Sequence, residues 1–357
     1  MSTLFLRPFS ALYGQLLDYR NCLYDRQIKP VFRPKQKSIS VGNLTVGGTG
    51  KTPMIEFLVR KLLSGALPTK QLNQFPLQMA TLSRGYGRRT TGFRLASPAD
   101  TAHTIGDEPT QLYRKFGRQL VVAVAERRVK GLQQLSAQCP EVNLVLLDDA
   151  FQHRAVKPHL SILLSDYNRP FQHDHPFPEG RLRERRHGAK RADLIVVTKC
   201  PDNLSASEKQ QIIDEITPYK VTETPVFFST LCYGTPESFD NQIVGFNEKK
   251  TVVLVSGLAN ADLLENYVSQ TFSLLRHHHF KDHYVYTRSD VDRMIQGLPP
   301  DAMLLTTEKD WVKIDPLLRA EERATLPLYY LPVAMRLLDD EAAFWEQIMG
   351  VVNPKNA

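Results

Sequence analysis

The run Gly42-Asn43-Leu44-Thr45-Val46-Gly47-Gly48-Thr49-Gly50-Lys51-Thr52 constrains this chain more than any other stretch. An apolar, β-branched segment at 38–41 precedes it and a helical pattern at 53–63 follows, so the run reads as a loop joining a strand to a helix. Glycines let consecutive backbone N–H groups turn inward on phosphate oxygens, and the helix N-terminus adds its partial positive charge. Gly47, Gly48, Thr49 and Gly50 form the expected cradle; Lys51 would reach the β- and γ-phosphates and the Thr52 hydroxyl would bind Mg²⁺. Pro53 suits the first helical turn, where a missing N–H costs little. A glycine turn without a ligand is the plainer alternative, and the flanking elements argue against it.

The usual phosphate loop has glycine six residues before its lysine, where this chain has Thr45. Gly47-Gly48-Thr49-Gly50-Lys51-Thr52 instead resembles the loops of MinD- and ParA-type ATPases, with Val46 in place of their extra lysine. The apolar strand pattern at 142–147 ends in Asp148-Asp149, which suits a direct or indirect Mg²⁺ contact beside such a loop. An acidic turn is the alternative for that pair. Asp107, in Ile105-Gly106-Asp107-Glu108-Pro109, reads by itself only as a helix cap.

Apolar β-branched runs alternate with helical patterns, giving an α/β fold of parallel sheets covered by helices. Strands are expected at 38–41, 120–123, 142–147, 160–164 and 194–198, and a second set at 251–256 and 302–306. The 357 residues, 42% hydrophobic, suffice for two domains. Prolines at 218, 225 and 236 and a polar patch at 248–250 place the boundary near 220, giving domains 1–220 and 221–357. The closing helix at 341–349 is expected to dock on either domain.

The cysteines Cys22, Cys139, Cys200 and Cys232 form no CxxC pair, which argues against structural zinc or a disulfide framework. A net charge of +7 fits an anionic partner. Basic and aromatic residues do not interleave as in an RNA-binding motif, so no nucleic-acid partner is expected. No apolar run reaches the roughly 18 residues of a membrane span. From Ser10, an expected helix N-cap, Leu12, Tyr13, Leu16, Leu17, Tyr19, Leu23 and Tyr24 recur near helical spacing, with Arg20, Arg26, Lys29, Arg33, Lys35 and Lys37 on or after them. That pattern fits either a core-facing helix or one lying in a membrane interface.

Several strings occur in an order that resembles one family. They are 42–53, Ser83-Arg84-Gly85-Tyr86-Gly87-Arg88, Gly106-Asp107-Glu108, Ala125-Glu126-Arg127, Leu147-Asp148-Asp149-Ala150-Phe151-Gln152-His153, Phe280-Lys281-Asp282-His283-Tyr284 and Thr306-Thr307-Glu308-Lys309-Asp310. Together they look like the tetraacyldisaccharide 4′-kinase family of the lipid A pathway, from the N-terminal helix to about Trp311.

The resemblance implies an enzyme that uses ATP and Mg²⁺ to phosphorylate the 4′-hydroxyl of a tetraacylated glucosamine disaccharide 1-phosphate. It implies two α/β/α sandwich domains: a P-loop parallel sheet and a smaller Rossmann-like domain, joined by a hinge-like linker. It implies a monomer bound peripherally to the cytoplasmic face of the bacterial inner membrane, its N-terminal helix meeting the inner leaflet. By motif, Asp107 and His283 match the pair that activates the sugar hydroxyl, with Lys51 and Thr52 on phosphate and metal and Asp148 and Asp149 near the metal. Tyr86, Glu108, Arg127, Gln152 and Arg181 are expected near the acceptor. Arg181 opens a basic run to Arg191, whose arginine forks suit phosphate oxygens; Arg185 stands where the family usually has proline. The 306–310 string resembles a guanine-reading motif imperfectly, and either contacts the adenine side or ends a strand. His277-His278-His279 reads as an exposed loop. A membrane-bound switch ATPase with no small acceptor is the rival from the loop alone.

Overall fold

The structure, a computed structural model, describes residues 3–65, 77–239 and 251–353. The polar 248–250 patch lies outside the described residues. The apolar runs form two sheets. The strands, in chain order, are β1 (Lys37–Asn43), β2 (Met79–Ser83), β3 (Arg94–Leu95), β4 (Leu120–Val124), β5 (Leu144–Asp148), β6 (Leu160–Asp166) and β7 (Leu194–Thr198). Then follow β8 (Val226–Tyr233), β9 (Glu237–Ser238), β10 (Thr251–Ser256), β11 (Ser273–His279), β12 (Ala302–Thr307), β13 (Leu328–Leu331) and β14 (Val333–Leu337).

Among the described residues the large sheet has nine strands, in the order β14-β8-β7-β6-β1-β5-β2-β4-β3. It is parallel except at its edges, where β3 and β14 run antiparallel to their neighbours. Its central strands are buried along their length, as in β5 and β7, because helices cover both faces. The small sheet, β11-β10-β12-β13-β9, is parallel except for β9.

The chain crosses the expected boundary near 220 while still in the large sheet, since β8 pairs with β7. It then builds the small sheet and returns through β14, which pairs with β8. The closing helix Glu341–Val352 docks on the large sheet, burying Phe344, Trp345, Ile348 and Met349 in one cluster with Phe57, Leu58 and Ile39. His277–His279 form the end of edge strand β11 instead of the expected loop. His277 there meets Glu265 at 2.7 Å and the Ser256 hydroxyl at 2.8 Å.

Helices join the two sheets. The helix Glu308–Ile314, following β12, packs against the helix Asp107–Phe116 of the large-sheet unit. Lys115 lies between Glu56 at 2.5 Å and Glu308 at 2.6 Å, while Gln111 donates to Glu56 at 2.8 Å. Glu56 belongs to the helix Lys51–Ser64 behind the phosphate loop, so this cluster binds three helices at one point. Burial pushes the Glu56 carboxyl up to about 7, against the pull of Lys115.

The N-terminal helix spans Arg7–Asp25, and Leu6, not Ser10, is its N-cap. Ser10 lies inside the helix, where its hydroxyl donates to the Pro176 carbonyl and accepts from the Glu179 N–H. Buried Gly14 lets Arg185 cross close beneath the helix, and Arg185 pairs with Asp18 at 3.1 Å. The opposite face carries Phe9, Leu12, Leu16 and Tyr19, continued by Phe5 on the 3₁₀ turn Thr3–Leu6 before it, each more than half exposed. Their spacing of three and four residues makes one outward apolar stripe. No helix among the described residues is long and apolar enough to cross a membrane.

Candidate active site

Parallel pairing gathers the ends of β1, β5, β2, β6 and β7 at one edge, where an open α/β sheet holds its ligands. The phosphate loop leaves β1 there. Gly47 and Gly50 take φ of 122° and 83°, values that disfavour side chains. Among the described residues, no atom beyond the adjoining ones lies within 4 Å of where a Cβ would stand at Gly47 or Gly48, so this backbone is open to a ligand.

Two segments grip the loop. On one side the Val46 N–H donates to the Arg181 carbonyl and the Arg183 N–H to the Leu44 carbonyl. On the other, the Thr198 hydroxyl donates to the Thr49 carbonyl at 2.9 Å, and Lys199 bridges the Gly48 carbonyl and Asp166. Asn43 closes the loop from within by donating to the Thr49 hydroxyl at 2.8 Å. The Thr198-Lys199 pair escaped the sequence reading because nothing in a strand-end threonine and lysine distinguishes a loop brace from a surface pair.

Lys51 heads the helix after the loop, with half-buried Thr52 beside it. The Lys51 ammonium lies 3.6 Å from Asp149, whose two oxygens both accept from Arg183 at 2.8 Å. Burial alone would raise the Asp149 carboxyl; Lys51 and Arg183 hold it below its ordinary value. Asp148 differs. Burial first, and then the Asp149 charge, push it up to about 7. Among the described residues, one buried Asp148 oxygen has no hydrogen-bond partner. A buried carboxylate oxygen lacking a donor, with a second carboxylate next to it in sequence, fits a hard divalent cation. The Arg128 guanidinium, also buried, donates to the Asp148 and Ala125 carbonyls at 3.0 and 2.6 Å and braces this strand end from below.

Asp107 begins the helix Asp107–Phe116, directly after Gly106. A Cβ at Gly106 would stand 2.9 Å from the Gly85 carbonyl carbon and the Tyr86 oxygen, so two backbones abut there and set Tyr86 beside Asp107. His283 reaches Asp107 from the small-sheet unit, with Nδ1 3.0 Å from the carboxylate. The exposed Tyr86 ring lies 4.7 Å from the His283 ring, centroid to centroid. Lys309 stands 3.4 Å from His283 Nε2. An ionised carboxylate only accepts, so Nδ1 carries the proton facing Asp107. Burial would raise the Asp107 carboxyl, but the His283 hydrogen bond and the Lys313 and Lys309 charges hold it below its ordinary value.

Glu108 sits 3.4 Å from Lys309, and its charge reaches Asp148, connecting the Asp107–His283 pair electrostatically to the loop's acidic pair. The 306–310 string thus borders His283, with Thr307 capping its helix and Lys309 facing the pair. Gln152 donates to the Asn43 carbonyl at 2.8 Å and to Glu184 at 3.0 Å, so its amide hydrogens are engaged within the protein. Arg127 is exposed at the N-cap of the helix Arg128–Gln138. The Arg181 side chain is also exposed; Arg183, two residues on, sends its guanidinium to Asp149. Three of the non-glycine residues with positive φ, Asp149, Lys199 and His283, lie at this site, where backbone strain commonly collects.

The family described as Tetraacyldisaccharide-1-P 4'-kinase matches residues 2–353. The chain belongs to this kinase family. A tetraacyldisaccharide 4'-kinase of Cytophaga hutchinsonii is 38% identical over 353 residues, covering 98% of this chain and 95% of the relative. One from Porphyromonas gingivalis is 33% identical, covering 98% and 97%. A crystal structure of LpxK from Aquifex aeolicus, in complex with ATP, superposes with TM-score 0.74 at 25% identity, covering 99% of this chain and all of that one. This kinase therefore shares its α/β architecture with that enzyme, and the switch-ATPase rival loses its support.

Proposed function

We propose that Asp107 and His283 activate the acceptor hydroxyl at a cleft between the two sheets, opposite a nucleotide held by the loop 47–52. As a member of its family, the chain transfers the γ-phosphate of ATP to the 4′-hydroxyl of a tetraacyldisaccharide 1-phosphate. The observation that carries the residue assignment is the 3.0 Å hydrogen bond between Asp107 and His283, which come from different sheet units.

Phosphoryl transfer requires an acceptor oxygen in line with the γ-phosphate and relieved of its proton. Asp107 accepts that proton at its carboxylate, while His283 orients it through Nδ1–H. The acceptor oxygen bonds to phosphorus as the β,γ-bridging bond breaks, and ADP leaves. Lys51 exchanges Asp149 for phosphate oxygens, and the loop N–H groups receive the remaining charge. Thr52, Asp148 and Asp149 would hold Mg²⁺, which would supply neutralisation of phosphate charge when bound. Tyr86, Glu108, Arg127 and Arg181 border the acceptor region, with Gln152 fixing the loop from behind.

The two sheets act as two domains whose hinge lies in the strands and linkers between them, and closure brings acceptor and nucleotide together. The chain works as a monomer on the cytoplasmic face of the inner membrane. Its outward stripe, Phe5 to Tyr19, enters the lipid interface where a lipid-linked sugar is presented. The test is transfer of γ-labelled phosphate to tetraacyldisaccharide 1-phosphate in Mg²⁺-containing micelles, beside a no-acceptor control. Label must appear in lipid, and Asp107→Asn must lose most of kcat while still binding ATP. ATP consumption without labelled lipid would overturn the reading.

A further inference from the structure

Lys313 is a buried lysine behind the reacting groups. Its side chain is 7% exposed, its ammonium lies 2.9 Å from Asp310 and 3.7 Å from Asp107, and it stands over the Tyr286 ring at 5.2 Å. Among the described residues, it makes no hydrogen bond of good geometry. A buried cation is costly unless opposed by charge, and Asp310 and Asp107 are the carboxylates within reach.

Asp310 is itself fixed. It is fully buried, accepts from the Gly257 N–H at 2.8 Å and from the Thr307 hydroxyl at 2.7 Å, and so cannot follow a moving lysine. Other charged groups around Asp107 are differently engaged. Lys309 lies between Glu108 and Asp282, at 3.4 and 3.0 Å, and neutralises that outer pair. His283 comes from the loop after β11 and Glu108 from Asp107's own turn. Lys313 is therefore the more deeply buried cation, its side chain 7% exposed against 17% for Lys309, and it is carried by a different unit from Asp107.

We infer that Lys313 is a positioning residue for the phosphoryl transfer: anchored by Asp310, it fixes the Asp107 carboxylate against His283 when the two sheet units meet. This rests on Asp107 being the proton acceptor. Asp107 then has two anchors from the small-sheet unit, a hydrogen bond through His283 and a charge through Lys313. Losing one leaves the pair able to form but poorly aimed.

The test is steady-state kinetics of Lys313→Met and Lys313→Arg across pH, with Asp107→Asn alongside. Methionine keeps the stem and removes the charge. For Lys313→Met, kcat at neutral pH falls about tenfold through misplacement of the carboxylate, while KM for ATP changes less than about twofold. The acidic limb of its kcat profile moves up by about one pH unit, because a nearby cation favours the ionised carboxylate. Lys313→Arg retains most of the wild-type profile. A folded Lys313→Met enzyme with wild-type kcat and an unmoved limb overturns the inference. If that variant fails to fold, Lys313→Met/Asp310→Asn, which removes the stranded carboxylate, must show the same shift, and its absence overturns the inference equally. An active Asp107→Asn enzyme overturns the underlying reading of Asp107; an inactive one beside an unshifted Lys313→Met overturns the Lys313 role alone.

Discussion

Glu56→Gln tests the joint that binds the phosphate-loop helix to both sheet units. Burial places the Glu56 carboxyl at about 7 in the folded protein, against 4.5 for an ordinary glutamate. The folded state therefore binds more protons than the unfolded one between those values. Stability falls as pH rises through that window, the reverse of the usual salt-bridged carboxylate. A displacement of that size corresponds to roughly 3 kcal/mol between mildly acidic and mildly alkaline pH. Glutamine keeps an acceptor for the Gln111 amide, which donates to Glu56 at 2.8 Å, and Lys115 keeps Glu308 at 2.6 Å. The variant removes the titration with little loss of packing. Urea unfolding of both proteins at about pH 5 and about pH 8 reads it directly. The stability difference should move in the variant's favour by roughly 3 kcal/mol from the lower to the higher pH. Parallel pH dependences in the two proteins would refute the reasoning.

Lys51→Ala should abolish transfer to lipid while leaving the thermal midpoint near wild type, since the Lys51 ammonium pairs at 3.6 Å with an Asp149 that is partly exposed; wild-type turnover would remove the loop from the mechanism. Leu12→Glu/Leu16→Glu should weaken pelleting with anionic vesicles at least tenfold, at roughly 1.5 kcal/mol or more per leucine, with micellar turnover retained. Unchanged pelleting would mean the stripe serves another purpose. Trp345→Ala should cost roughly 3–5 kcal/mol by calorimetry or urea unfolding, because the side chain is fully buried against Phe57 and Phe344. A loss below about 1 kcal/mol would show that the closing helix contributes little to the large sheet.

The parallel strands and phosphate loop were legible because each rests on local pattern: β-branched runs buried on both faces, and glycines followed by Lys51 and Thr52. Tertiary events were not. The edge pairing of β14 with β8 joins residues about a hundred positions apart, and no local signal sends residues 226–233 to the large sheet. In the basic run 181–191 every arginine looks alike in sequence; strand-like pairing of 181–183 with the loop turns Arg183 inward and leaves Arg181 exposed. Ser10 has the chemistry of a cap, but a 3₁₀ turn before Arg7 starts the helix earlier and frees its hydroxyl to bind Pro176. Asp107 read in isolation is an ordinary helix cap; the family resemblance pairs it with His283, and only the tertiary fold sets the two 3.0 Å apart.

The most direct test of the central claim is a double-mutant cycle on Asp107 and His283, measuring kcat for phosphate transfer to the lipid acceptor in Asp107→Asn, His283→Ala and the double variant. Residues acting as one unit are strongly non-additive, so the double variant should be no slower than the slower single variant. Losses that multiply in the double variant would mean the two residues act independently, and the pairing across the sheets would not be the device that activates the hydroxyl.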